Sequence, residues 1–249
     1  MRSFQFTKMQ GLGNDFIVIE GPVQPSPEEV SQLCDRRFGI GADGVLVATR
    51  GDPIRMEYWN ADGSAAEMCG NGLRCVALYS YDRGWAPDRN FGIQTPIGLR
   101  GVRVLEDRVD AELGRPVLNG TRSIRGTDYE LVDMGNPHAV SFVDDPATVE
   151  VGDVGSALQS EFPNGSNVEF ASVNGSNVVM RVWERGVGET LACGTGIAAV
   201  AAVAQERFGL TSPIAVSVPG GQATVDMRDG VAWISGPAEY SFRGSVGER

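Results

Sequence analysis

The chain of 249 residues has one histidine, His138, and four cysteines, at positions 34, 69, 75 and 193. With a single imidazole and no Cys-x-x-Cys pair it lacks the ligands of a structural zinc site, so no metal is expected. In the cytoplasm four thiols are expected mostly to stay reduced, which disfavours a disulfide framework. Basic residues are scarce as well: 21 Lys and Arg against 32 Asp and Glu leave a net charge of −11, which argues against nucleic acid as a partner. No run approaches the ~18 apolar residues of a membrane span. Met1-Arg2-Ser3-Phe4-Gln5-Phe6 leads into no signal-peptide core, so no membrane association and a cytoplasmic location are expected. No low-complexity tract is present, and 42% apolar residues are enough to fill a globular core.

What the chain does have is Cys-Gly-x-Gly, twice. Cys69-Gly70-Asn71-Gly72 and Cys193-Gly194-Thr195-Gly196 lie 124 residues apart, close to half the chain. At the same offset Met56 and Trp59 face Met180 and Trp183, and Arg83 faces Arg207. With a slip of one or two residues Gly13-Asn14 matches Gly135-Asn136, and Thr95-Pro96-Ile97-Gly98 matches Val218-Pro219-Gly220-Gly221. Their common order marks an internal duplication. We expect two homologous halves about a pseudo-two-fold axis, residues 1–115 and 116–237, with a last strand near 238–249 packing on the first half. Gly114-Arg115-Pro116 and its counterpart Gly236-Pro237 mark the ends of the halves.

Lys8 to Glu20 is expected to form strand, turn at Gly11-Leu12-Gly13, and strand, because Phe16-Ile17-Val18-Ile19 is short and partly β-branched. Ser26-Pro27-Glu28-Glu29 combines a Ser N-cap, Pro at the first helical position and Glu three residues after the cap, and starts a helix ending near Asp35. Leu73 to Tyr81 and Ile197 to Arg207 are the longest expected helices, with Gly84 and Gly209 as C-caps. Both are apolar around the circumference and are expected at the centre of their halves. Gly244 to Arg249 are expected to fray.

A free thiol titrates at roughly 8.5, and a helix N-terminus stabilises an adjacent anion by ~0.3–2 kcal/mol, enough to bring a cysteine near pH 7. Two such thiols in one dry cleft resist ionising together, so one thiolate and one thiol is the expected pair. That pair suits inversion at carbon, with the thiolate removing a proton from one face and the thiol delivering one to the other. The glycines let helix-end amides approach an anion such as an α-carboxylate.

Met9-Gln10-Gly11-Leu12-Gly13-Asn14-Asp15-Phe16, Asn60-Ala61-Asp62-Gly63-Ser64, Glu67-Met68-Cys69-Gly70-Asn71-Gly72, Gly135-Asn136-Pro137-His138 and Trp183-Glu184-Arg185-Gly186 through Ala192-Cys193-Gly194-Thr195-Gly196 together resemble the diaminopimelate epimerase family, in its order and over nearly the whole chain. The resemblance implies an α+β fold of two pseudo-symmetric domains, each of β-strands wrapped around a central helix, and usually a homodimer. It implies a cofactor-independent isomerase converting LL- to meso-diaminopimelate, a small-molecule substrate on the route to lysine and peptidoglycan. The catalytic pair then falls on Cys69 and Cys193, and the carboxylate-binding amides on Gly70, Asn71, Gly194 and Thr195. Contacts to the rest of the substrate fall on Asn14, Asn60, Asn136, Asn167, Glu184 and Arg185, and the pair tuning the thiols on His138 and Glu184. Gly44 stands where some members carry a substrate-contacting Gln.

Diaminopimelate carries a second amino-acid head, for which Arg185 offers a bidentate grip on carboxylate and the asparagines both donate and accept. Taken singly these residues have ordinary alternatives: Asn beside Gly or Ser commonly serves a turn, Arg185 reads as a solvated charge, and Cys34 and Cys75 as core thiols. Aligning the repeats sets Phe16 against His138 and Asn60 against Glu184, so the titratable groups that distinguish the thiols lie in the second half. Three other readings stay open: a related racemase for proline or histidine, an isomerase of the same fold without thiol chemistry, and a thiol-redox or binding protein in which Cys69 and Cys193 form a reversible disulfide.

Overall fold

A computed structural model describes residues 3–66 and 68–247; Glu67 of the first cysteine motif, Met1-Arg2 of the N-terminus and the last two residues of the expected fraying tail lie outside them. The chain divides into two compact units, Met1–Ala111 with Gly236–Arg249, and Glu112–Ser235. The fold is α+β, rich in strands and poor in helices.

In the first unit β1 (Phe4–Gly11) and β2 (Asn14–Glu20) form a hairpin, followed by α1 (Pro27–Cys34), β3 (Gly44–Thr49), β4 (Ile54–Asn60), β5 (Ala65–Ala66), α2 (Gly70–Asp82), β6 (Asn90–Thr95), β7 (Gly98–Val104) and the first half of β8 (Val109–Gly114). The β1–β2 turn places Leu12 and Gly13 at φ 56° and 78°, two left-handed residues that match the twist of a tight hairpin. β2 runs parallel to β3, β3 antiparallel to β4, and β4 takes β5 antiparallel and β6 parallel. The ladder continues antiparallel through β7 and β8.

The second unit repeats this plan. β9 (Val117–Ile124), β10 (Thr127–Asp133) and β11 (Pro137–Phe142) lead to α3 (Val151–Leu158), β12 (Asn167–Asn174), β13 (Asn177–Glu184), β14 (Gly188–Thr190), α4 (Gly194–Phe208), β15 (Ile214–Val218), β16 (Gly221–Arg228) and β17 (Val231–Gly236). β11 is parallel to β12, β12 antiparallel to β13, and β13 takes β14 antiparallel and β15 parallel. The hairpin closures Thr95↔Gly98 and Val218↔Gly221 also correspond.

Each unit wraps its strands around one helix. α2 touches β1, β2, β3, β4 and β7, whereas α4 touches β10, β11, β12, β13, β15 and β16. Both helices are therefore buried on nearly every side, and Ile197 through Ala204 are all core. The period-2 alternation of the strands divides each sheet face. Ile17, Ile19, Val45 and Val47 pack on Val30, Leu33 and Cys34 of α1, and Ala139, Val168 and Phe170 on Val151 and Leu158 of α3. The intervening residues, Leu46 in β3 and Glu169 in β12, turn toward α2 and α4.

α1 has the full capping box, with Ser26 and Glu29 each accepting the other's backbone amide and Asp35 at the C-cap. Gly209 closes α4 in the left-handed region at φ 68°. A last strand lies on the first unit near the expected 238–249, but the fraying expected from Gly244 is not found up to Val246. The chain there forms β18 (Glu239–Val246), paired antiparallel with β1 from Gln10↔Glu239 to Phe4↔Val246. An open β1 edge would leave a row of unpaired amides and carbonyls, and β18 satisfies them.

Candidate active site

Each cysteine is the N-cap of its helix. Cys69 has an extended backbone (φ −143°, ψ 110°) and its sulfur accepts the Gly72 amide at 3.3 Å; Cys193 (φ −111°, ψ 114°) accepts the Gly196 amide at 3.4 Å. Intrahelical bonding begins at the Leu73 and Ile197 amides, which donate to the Cys69 and Cys193 carbonyls. The Gly70, Asn71, Gly194 and Thr195 amides precede it, in the first turn where a helix has no carbonyl of its own to offer. The glycines are required by packing too. A Cβ on Gly72 would meet Leu46 Cδ2 at 2.9 Å, and one on Gly196 would meet Glu169 Oε1 at 2.6 Å.

In the first unit Cys69 Sγ donates to Asn14 Oδ1 at 3.7 Å, and Asn71 Nδ2 donates to the same oxygen at 3.3 Å. Asn14 in turn donates to Asp43 at 2.7 Å, and Arg36 bridges Asp43 and Asp15, each at 2.7 Å. Buried Lys8 also pairs with Asp15. Asn60 lies apart from this chain of bonds, donating to Ser64 Oγ at 3.0 Å. Gly44 has no room for a side chain. A Cβ there would run into the Trp59 carbonyl and would lie 2.5 Å from Tyr58 Cε2, so the Tyr58 ring, edge-to-face with Phe16 at 5.9 Å, fills the space a larger residue would need.

In the second unit Thr195 Oγ1 lies 3.4 Å from Cys193 Sγ and accepts from Asn136 Nδ2 at 3.3 Å. His138 follows, with Nε2 3.1 Å from Asn136 Oδ1 and Nδ1 2.6 Å from Glu169 Oε1. Two oxygens thus face the two ring nitrogens. The acidic hydrogen-bond partner of His138 is Glu169. Glu184 accepts from Thr190 Oγ1 and hydrogen-bonds Cys193. Burial pushes its carboxyl above the usual range, against the pull of those hydrogen bonds.

Glu169 carried no signal as a motif, but it is the only charged residue in the apolar run Val168-Glu169-Phe170-Ala171. An isolated acid in a buried strand was the available clue. Asn167 directs both ends of its amide to the protein, donating to the Pro137 carbonyl at 3.0 Å and accepting the Arg185 amide at 3.0 Å. It braces the backbone at Arg185, whose exposed guanidinium reaches the Asn164 carbonyl at 3.3 Å.

The helix N-terminus does not decide the state of Cys193. Burial, then the Glu184 and Glu169 charges, push its thiol well above the ordinary value, outweighing the Thr195 and Gly196 hydrogen bonds. Cys34 and Cys75 are free, buried thiols pushed up by burial to about 11 and about 12, as core residues should be.

A family model described as diaminopimelate epimerase matches residues 6–119 and 130–240. The diaminopimelate epimerase of Alkalilimnicola ehrlichii is 41% identical over an alignment of 273 residues that covers 97% of this chain and 98% of the relative. That of Leptospira biflexa is 36% identical over 97% of this chain and 98% of the relative. Among solved structures, a phenazine biosynthesis protein of the PhzF family from Bacillus anthracis matches with a TM-score of 0.80 at 14% identity, covering 99% of each chain, a likeness of fold.

Proposed function

We propose, from the premise that this chain belongs to the diaminopimelate epimerase family of isomerases, that it interconverts LL- and meso-2,6-diaminopimelate without a cofactor, using Cys69 and Cys193 as the acid–base pair. The observation that carries the reading is the duplicated N-cap, in which each sulfur sits on a helix amide three residues on. A thiolate abstracts the Cα proton from one face, negative charge spreads onto the α-carboxylate, and the opposite thiol protonates the other face. The thiolate consumed on one side is regenerated on the other, so reversal needs no external proton.

The first-turn amides of Gly70, Asn71, Gly194 and Thr195 would hold the carboxylate as charge builds on it. Asn14, Asn60, Asn136, Asn167, Glu184 and Arg185 would hold the remainder of the substrate. For Asn14 and Asn136 this role is supported by their place beside the thiols; for Asn167 the bracing of Arg185 supports an indirect one. His138 and Glu184 would tune the thiols; for Glu184 this is supported by its hydrogen bond to Cys193, and Glu169, paired with His138, joins them. We place the enzyme in the cytoplasm as a homodimer, at the step that supplies meso-diaminopimelate for lysine and peptidoglycan.

Solvent-deuterium exchange at Cα of LL-diaminopimelate, under reducing conditions and without pyridoxal phosphate, tests the reading. Wild type is expected to exchange and epimerise, and Cys69→Ala and Cys193→Ala each to lose about 10²- to 10⁴-fold in epimerisation, the usual contribution of a positioned acid or base. Full turnover by either variant would defeat the two-thiol mechanism, and exchange into proline or histidine instead would favour the related racemases.

A further inference from the structure

Arg74 is fully buried, 0% exposed, yet it has no carboxylate partner among the described residues. Its Nη2 donates to Asn71 Oδ1 at 2.9 Å, its Nε to the Pro237 carbonyl at 3.2 Å, and its Nη1 has no hydrogen-bond partner. The site is shaped to receive the side chain: a Cβ on Gly11 would lie 3.0 Å from Nη2, and one on Gly236 3.3 Å from Cζ. A guanidinium stays protonated in proteins, and leaving it buried without an anion is strongly unfavourable. The charge therefore calls for a counter-charge.

Among the described residues two ionisable groups bear on it. Burial lowers the Arg74 pKa, and the sulfurs of Cys75 and then Cys69 act in the opposite direction. Cys75 is held at about 12 by burial and is a neutral thiol at pH 7, which leaves Cys69. The remaining described charges of the hairpin are engaged elsewhere. Across from α2 the β1–β2 hairpin presents the neutral Asn14, behind which Asp43, Arg36, Asp15 and Lys8 pair among themselves. At the entry to β18 the group that meets it is the neutral Pro237 carbonyl.

The second unit has nothing equivalent. The offset of 124 residues that relates the cysteines sets Arg74 against Ala198, and the strand register sets Leu46 against Glu169. One N-cap thiol thus has a buried cation behind it, and the other two acids.

We propose that Arg74 is a positioning residue that acts through Cys69: its buried guanidinium is the counter-charge that holds the Cys69 sulfur as the thiolate in the resting protein. The thiol proton leaves to solvent and the Cys69–Asn14 hydrogen bond is given up with it, the Gly72 amide remains on sulfur, and Asn71 still joins the cation to Asn14. The catalytic consequence rests on the two-thiol reading; the electrostatic claim does not.

The experiment is peptide-resolved alkylation of the full-length protein by iodoacetamide as a function of pH, in wild type, Arg74→Met and Arg74→Lys, with folding checked by thermal melts. Wild-type Cys69 is expected to half-titrate below the roughly 8.5 of a free thiol. Arg74→Met is expected to raise that midpoint by about one unit or more, slowing alkylation at pH 7 about tenfold, with Arg74→Lys close to wild type and Cys193 unchanged in all three. A purely structural Arg74 would lower the melting temperature without moving the Cys69 profile. An unmoved profile in folded Arg74→Met overturns the proposal, as does a wild-type midpoint at or above 8.5, which needs no variant to fold. If Cys69→Ala epimerises while Arg74→Met still shifts the Cys69 profile, the two-thiol mechanism fails and the counter-charge stands.

Discussion

Gly72 and Gly196 serve the same purpose at their two sulfurs but have different neighbours, and the difference is measurable. A methyl at Gly72 would press on Leu46, a side chain able to change rotamer, whereas a methyl at Gly196 would press on Glu169 Oε1, held at 2.6 Å from His138 Nδ1. Overpacking against a fixed group typically costs ~1–3 kcal/mol. Gly196→Ala is therefore expected to lower the melting temperature more than Gly72→Ala, in paired calorimetric scans. Equal losses would mean that the His138–Glu169 pair yields as easily as a leucine. At this scale the cysteine caps were legible in the sequence, because cap and amide are three residues apart. Glu169 was not, because His138 reaches it across the parallel pairing of β11 and β12, 31 residues away.

Hairpin β1–β2 is joined to its surroundings by charge as well as by its ladder. Lys8 in β1 and Asp15 in β2 pair with each other, and Arg36, beyond α1, ties Asp15 to Asp43 just before β3. Burial opposes the Asp15 charge, but the hydrogen bonds and charges of Arg36 and Lys8 outweigh it and hold the carboxyl below its ordinary 3.8. A depressed acid stabilises the fold above its unfolded pKa and loses that contribution as pH falls through the folded one. Acid titration of the melting temperature is expected to show wild type losing stability below about pH 4, where Asp15→Asn, already weaker at pH 7, changes less. Parallel acid profiles would remove Asp15 from the account. The elements themselves were largely readable: the hairpin from Gly11-Leu12-Gly13, α1 from its capping box, α2 and α4 from their apolar circumference. Only the end of β18 was misread: a last strand was expected near 238–249, but residues 244–246, exposed or half-exposed, were expected to fray. It is a strand because β1 has an edge to be covered.

Across the whole molecule the duplication is one of topology with unequal chemistry. Phe16, Leu46, Asn60 and Arg74 on one side answer to His138, Glu169, Glu184 and Ala198 on the other, so one repeat backs its thiol with a cation and the other with acids. The chain as a whole is acidic, with a net charge of −11, and such an excess of one sign repels itself in the folded state. Raising salt from 0.01 to 0.15 M shortens the screening length from about 30 to about 8 Å, and the melting temperature at pH 7 is expected to rise. A fall would show that attractive pairs such as Arg36 with Asp15 and Asp43 outweigh the general repulsion.

The sequence by itself determined the repeat, the two capped thiols, the central helices and the family, since each is written in residues close together or in a recurring order. Only the tertiary structure decided which groups surround each sulfur. Arg74 is one more basic residue in a helix until Gly11, Gly236 and Pro237 close around it, and Glu169 is one more acid until β11 and α4 bury it against His138 and Gly196. Charge acts through distance and burial, and both are set by which strands pair.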